Sequence, residues 1–161
     1  MIGLFKRLFR RSTPMIGDAT TRDTAALADL HARSFQRGWS ESEFETLLAE
    51  ANTLAHNARV GRSVVGFIIS RMAAGEAEIL SVAVADSQRH RGVGTMLLRH
   101  HLGSLMGIGV RAVFLEVDEI NGPALRLYRR AGFIEVARRP GYYPQNGGRQ
   151  TAALVMRRDL D

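Results

Sequence analysis

Hydrophobic positions recur along this chain with two periods, and the switches between them mark out the elements. In "TTRDTAALADLHARSF", Ala26, Leu27, Leu30 and Phe35 keep helical spacing, with Thr20 or Thr21 placed to cap the start. After a break at Arg37-Gly38, Ser40 and Glu43 stand in capping-box spacing, which predicts a second helix over about 41–50. "TLAHNARV", "SVVGFIISRM" and "EAEILSVAVA" read as three strands, joined by turns at Gly61-Arg62 and Ala73-Ala74-Gly75. Residues 92–106 return to helical spacing, with Val93, Leu97, Leu98, Leu102, Leu105 and Met106 on one face. "VRAVFLEVDE" is a further buried strand. Asn121 can cap the next helix, Pro123 fits its first turn, and Gly132 can stop it. "FIEVARR" and "QTAALVMRRDL" then supply two closing strands.

The resulting order is strand, helix, helix, three strands, helix, strand, helix, two strands. Antiparallel hairpins followed by a β-α-β-α-β section predict an α/β fold, with one mixed sheet and helices on both faces. No repeat or low-complexity stretch interrupts it. The length of 161 residues suits one domain with a substantial core. The chain has no cysteine, which excludes disulfides and thiolate metal sites. Net charge is +6, so anionic partners are favoured, but charge alone does not choose among phosphorylated cofactors, nucleic acid and lipid. The arginines are scattered without interleaved aromatics, so no nucleic-acid role is expected.

Residues 1–12 are set apart from a domain spanning 13–161. "MIGLFKRLFRR" places Leu4, Phe5, Leu8 and Phe9 opposite Lys6, Arg7, Arg10 and Arg11 on a helix. It lacks the longer apolar core of a signal peptide or membrane span, and a cytoplasmic protein is expected. Three readings fit it: a disordered tail upstream of a true start at Met15, an amphipathic helix docking on its own domain, or a tether to a membrane or ribosome.

The chemistry concentrates in "RHRGVG", residues 89–94. Glycines there let backbone approach a ligand where a side chain would collide. The first turn of a helix leaves N–H groups without internal partners and carries partial positive charge. Amides from Arg91 through Gly92, Val93, Gly94 and Thr95 can hold a pyrophosphate, with Arg89 and Arg91 adding full charges. The loop is neither a P-loop nor the dinucleotide fingerprint.

The run "ILSVAVADSQRHRGVGTMLL", followed by "FLEVDEINGPALRLYRRAGF", resembles the core of the GCN5-related N-acetyltransferase (GNAT) superfamily. Its acetyl-CoA loop has the form Gln/Arg-x-x-Gly-x-Gly/Ala, matched by Arg89, Gly92 and Gly94. Within the superfamily, "WSE" at 39–41, the "LEV" strand and "GYYPQNGGR" resemble the bacterial ribosomal-protein-alanine N-acetyltransferases. The resemblance covers about residues 15–158. Gly38 stands where that group usually has Pro, and Asp118 where it usually has Arg; both positions lie near the acceptor's entrance.

The resemblance implies acetyl-CoA as co-substrate, no metal, and a thioester arm lying between two separated strands. Main-chain groups of Val82 and Val84 would pair with the arm, one N–H polarising the thioester carbonyl. Glu116, a carboxylate in an otherwise apolar strand, would be the general base through a water. Tyr128 would be the general acid for the departing thiolate. Since a thiol near 8.5 is a better acid than a phenol near 10, unaided transfer is uphill by about 2 kcal/mol, and holding the sulfur by hydrogen bond is the other reading. Asn121 would cap its helix and touch the cofactor. Trp39, Tyr142 and Tyr143 would line the acceptor groove, although plain loop packing explains them equally well. His100 and His101, adjacent on one helix, make a poor chelating pair.

The acceptor follows from both sources. Freeing an α-amine with pKa near 8 at pH 7 costs roughly 1 kcal/mol, against about 4.6 for a lysine. One water-linked carboxylate suits the α-amine better, and the resemblance points to a protein N-terminus, that of a ribosomal-protein alanine. A lysine, polyamine or other small amine is the alternative, and a non-catalytic acyl-CoA-binding domain a more distant one.

Overall fold

The computed structural model describes residues 12–144, 147–148 and 150–161; residues 1–11 of the basic extension lie outside them. The elements are β1 (Met15–Asp18), α1 (Thr24–Ser34), α2 (Glu41–Ala49), β2 (Thr53–Val60), β3 (Ser63–Ala73), β4 (Glu76–Val84), α3 (Val93–Gly107), β5 (Ala112–Asp118), α4 (Gly122–Arg130), β6 (Ile134–Pro144) and β7 (Gln150–Asp159). They build one mixed sheet in the order β1-β2-β3-β4-β5-β7-β6. Among the described residues, only the β4–β5 contact is parallel.

Local sequence explains most element boundaries. Ser40 and Glu43 form the capping box that opens α2, with bonds of 3.1 and 2.7 Å. Asn121 Oδ1 accepts from the Ala124 N–H at 3.2 Å and opens α4. Thr20 also caps, but with Asp23 it starts a single 3-10 turn, and α1 itself begins at Thr24. The edge strand β6 runs beyond "FIEVARR" through the Tyr142-Tyr143-Pro144 segment. Its register with β7 slips between Arg139 and Tyr143, and Gly141 takes φ +64. A bulge on an edge strand absorbs Pro140 and Gly141 without breaking the sheet.

Two apolar layers sandwich the sheet. On one face Leu27 and Leu30 of α1 and Phe44 and Leu47 of α2 pack on Ala55, Phe67, Ile69 and Ala83. On the other, Val93, Leu97, Leu98, Leu102 and Leu105 of α3 and Leu125 and Tyr128 of α4 pack on Ile68, Ile79, Val113, Leu115 and Met156. Met106, expected on that face, is 47% exposed. His101 is the residue that fills the stripe, one turn from Leu97 and from Leu105. Helix α3 sits close to the sheet over Gly66, where a Cβ would come within 2.9 Å of Leu97 Cδ1 and 3.2 Å of the Ala83 carbonyl.

A buried polar chain runs beneath α3. His101 Nε2 lies 2.7 Å from Ser70 Oγ, and its Nδ1 lies 2.8 Å from His56 Nδ1. His56 Nε2 points to the exposed Asp18 carboxylate at 3.5 Å. Every atom is satisfied when Ser70 donates to His101, His101 donates from Nδ1 to His56, and His56 donates from Nε2 toward Asp18. Both rings are then neutral. Burial pulls both below the usual histidine value, His101 to about 3, with His56 and His100 adding like-charge repulsion.

Candidate active site

The site begins with one extra residue. Ser70 pairs with Ile79 and Ile69 with Ser81, so Leu80 is unmatched and β4 carries a bulge there. Before it, Ala77 and Ile79 pack in the α3/α4 layer; at it, Leu80 turns to the α1/α2 layer. The parallel pairing of β4 with β5 runs from Glu76↔Ala112 to Ile79↔Leu115 and stops at this bulge. Beyond that point Ser81–Val84 stay on β3, while Glu116–Asp118 stay on β7. The two central strands therefore part into a wedge, with the half-buried Val82 and Val84 on one side and Glu116 on the other.

The wedge leads to the start of α3. Gly92 is the N-cap, in left-handed conformation at φ +79, and no side chain among the described residues caps the helix. Its amides at the first turn are left for water or a ligand. Val93 is buried in the core and anchors the turn, whereas Arg91, Gly92 and Thr95 are exposed. A Cβ at Gly94 would sit 3.4 Å from Leu127 Cδ2, an ordinary contact, so the fold itself has no need of glycine there. Arg89 is engaged: its Nε donates to the Val84 carbonyl at 3.2 Å, and Nη1 pairs with Asp86 at 2.8 Å. It ties the loop to the end of β4 and shares its charge with Asp86. Asn121 is exposed at the start of α4.

Glu116 faces the α1/α2 side at the point of the wedge. Its side chain is 23% exposed, and Oε1 lies 3.0 Å from Arg139 Nη1. Both residues line a cleft of about 350 Å³ with Arg71, Glu76, Glu78 and Phe114. Tyr143 is held above the usual phenol range by burial first, then by the negative charge of Glu116 and the neighbouring Tyr142 and Asp118. Tyr128 is buried against Phe133, rings 5.9 Å apart, and burial with Tyr143 nearby pushes its hydroxyl up to about 12. Tyr143 thus lies near enough to Glu116 on one side and Tyr128 on the other for their charges to be felt. The next acid along, Glu119, is structural. It accepts from the Ala152 N–H at 3.0 Å and from Arg138 at 2.9 Å, pinning the end of β5 to its neighbours.

Trp39 is placed in a second cleft, of about 400 Å³, with Glu43, Thr46, Leu47, Arg71 and Leu80. Its ring stacks on His31 with centroids 4.6 Å apart, and its backbone N–H donates to His31 Nδ1 at 3.0 Å. Arg71 lines both clefts, so Trp39 and Glu116 lie along one continuous side of the molecule. Tyr142 is half exposed and meets Tyr143 edge-on. Two residues that the sequence alone did not mark enter the site. Arg139 contacts Glu116, and nothing in "FIEVARR" distinguishes it from Arg138. Ser81, just past the bulge at the point of the wedge, is 7% exposed, and its Oγ has no partner among the described residues. A lone hydroxyl inside "ILSVAVA" is a signal that could have marked it.

Comparison with known proteins gives this geometry a family. The Acetyltransferase (GNAT) family matches residues 24–133. The chain is 30% identical over 140 residues to the ribosomal protein bS18-alanine N-acetyltransferase of Escherichia coli K12, covering 87% of this chain and 94% of that one. It is 37% identical over 150 residues to the N-alpha-acetyltransferase RimI of Mycobacterium tuberculosis, covering 89% and 91%. The crystal structure of the E. coli ribosomal-protein-S18-alanine N-acetyltransferase superposes with a TM-score of 0.86 at 28% identity, over 92% of this chain and 95% of that one. The chain belongs to the GNAT acetyltransferase family and is an acetyl-CoA-dependent N-acyltransferase. Among the described residues, no helix is long and apolar enough to cross a membrane, and no group of three His, Asp or Glu is placed to hold a metal.

Proposed function

We propose that this enzyme acetylates the N-terminal α-amine of a protein in the cytoplasm, with the N-terminal alanine of a ribosomal protein as its acceptor. The observation that carries the reading is the wedge with Glu116 at its point, reached by a cleft on the α1/α2 side. The names of its relatives support the acceptor class.

Acetyl-CoA supplies the activated acetyl group, and the residues present suit it. The uncapped amides of Val93, Gly94 and Thr95, with Arg91 beside them, would hold the diphosphate. The free edge of β4 at Val82 and Val84 would hydrogen-bond the arm, one amide facing the thioester oxygen. Asn121 would touch the cofactor from the neighbouring helix start. Glu116, through a water, would take the proton of the acceptor amine as the new amide bond forms. Trp39, Tyr142 and Tyr143 would flank the acceptor chain.

For Tyr128 the environment favours one of its two readings. With its hydroxyl at about 12, giving its proton to a thiolate near 8.5 is uphill by roughly 5 kcal/mol. Tyr128 keeps its proton and holds the departing sulfur by hydrogen bond. The test is to incubate the protein with acetyl-CoA and a panel of N-terminal hexapeptides, lysine peptides and polyamines, following thiol release. Turnover confined to lysines or polyamines would overturn the N-terminal assignment.

A further inference from the structure

Glu116 does not meet the cleft as a bare carboxylate. Arg139 reaches it from β6, where the strand is an edge, its register is broken and the backbone turns at Gly141. The Arg139 side chain is 58% exposed and stands within the cleft lining. It also lies 5.9 Å from the Tyr142 ring centroid. The other arginine of the cleft, Arg71, is 3.4 Å from Glu50. The cleft thus presents two arginines, each beside an acid, on the side where an acceptor must enter.

An N-terminal amine arrives mostly as an ammonium, because its ordinary pKa is near 8. Its natural first contact is the carboxylate that will relieve it of a proton. In the structure that contact belongs to another cation. We propose that Arg139 is a displaceable cover: its guanidinium holds the place of the acceptor's ammonium on Glu116, and acceptor binding exchanges one cation for the other. Arg139 is a positioning residue that acts through Glu116. The proposal rests on the reading of Glu116 as the base.

Three features make the exchange feasible. A pair this exposed is worth little, so the incoming ammonium has a small penalty to overcome. The pair is an ion contact of Nη1 with Oε1 at 3.0 Å on a side chain that is more than half exposed, where water competes for the carboxylate. The Tyr142 face offers the displaced guanidinium a resting place by cation–π contact. The cover also sets a preference: an uncharged nucleophile cannot replace the charge that Arg139 gives up, so cationic acceptors gain over neutral ones.

The experiment uses the full chain in a double-mutant cycle, with Arg139→Met, Arg139→Lys, Glu116→Gln and the pair Glu116→Gln/Arg139→Met. An alanine-initiated hexapeptide is the acceptor, and its affinity for the enzyme–CoA complex is read by calorimetry beside steady-state kinetics. Arg139→Met is expected to lower the peptide's KM and Kd by about two- to fivefold, the range an exposed pair gives, with kcat within twofold. Arg139→Lys, still a cation, is expected to stay near the parent. In the Glu116→Gln background the same change is expected to leave Kd unmoved. A rise in KM with a fall in kcat on Arg139→Met would overturn the cover and make Arg139 a support for the base. An affinity gain that persists without the Glu116 charge would overturn it too, since Arg139 would then act on the peptide directly. If Glu116→Gln alone keeps full turnover, the base reading fails, and it fails visibly apart from the cover.

Discussion

The buried histidine chain predicts a specific acid sensitivity. His101 is about 3 in the folded protein against 6.5 for an ordinary histidine, because burial disfavours its charge and His56 and His100 add repulsion; Asp18, facing His56 from the surface, opposes the effect only at the far end of the chain. The unfolded chain therefore binds a proton that the folded one refuses. Stability is full above about pH 6.5 and falls as the pH drops toward the folded value. Each unit below 6.5 costs about 1.4 kcal/mol. Between pH 7.5 and 5 the loss from this ring is about 2 kcal/mol, and any folded value below about 4 gives the same figure. The control is His101→Gln, which keeps a polar partner for Ser70 but does not titrate. Urea unfolding of both proteins at pH 7.5 and pH 5 gives two slopes; the carboxylates, remote from His101, titrate in each and cancel. The variant will be less stable at neutral pH, but its stability is expected to change less with pH, by about 2 kcal/mol. Equal slopes would refute the reasoning, and so would a ring nitrogen NMR titration showing His101 protonated at pH 6.

Four further outcomes are expected. Glu116→Gln should lower kcat by about a hundredfold or more across pH 6–9 with acetyl-CoA affinity nearly intact, as loss of a general base does; turnover within a few fold of the parent would remove the assignment. Gly94→Ala should raise the KM for acetyl-CoA while the melting temperature stays close to the parent, because a Cβ there meets Leu127 only at ordinary contact distance; an unchanged KM would detach the loop from the diphosphate. Tyr128→Phe should cost about tenfold in kcat, the scale of a hydrogen bond to a charged group, and a loss below twofold would return Tyr128 to a packing role. Gly66→Ala should destabilise by about 1–3 kcal/mol through overlap with Leu97 and the Ala83 carbonyl, measured by denaturant unfolding.

Most of the fold was legible because local chemistry decides it. Ser40 with Glu43, and Asn121 with Pro123, fix helix starts by hydrogen bonds that span three residues, and the apolar periods fix the faces. What the sequence concealed is non-local. The insertion of β7 between β5 and β6 depends on strand pairing across the chain, and the bulge at Leu80 appears only when β4 is laid beside β3. The burial of His101 could not be read from "RHH", since its partners Ser70 and His56 lie on other strands. The same holds at the site: Glu116 stands out as a charge in an apolar run, but its contact with Arg139 joins two distant segments. The strand expected at "FIEVARR" stops before Pro140 and Gly141, whereas the edge strand β6 tolerates both and runs on to Pro144.

The short seam between β4 and β5 has a consequence for how the enzyme holds itself together. The four-stranded half of the sheet meets the three-stranded half through four paired rungs, from Glu76↔Ala112 to Ile79↔Leu115, extended by one bond from the Arg111 N–H to the Gly75 carbonyl. A pantetheine arm lying along the open edge would act as a fifth and sixth rung, lent by the substrate. Amide hydrogens at 82–84 should then exchange with solvent faster in the free protein than in the acetyl-CoA complex, and the ligand should raise the unfolding temperature by stitching the halves. Each catalytic cycle would leave the sheet briefly unlaced.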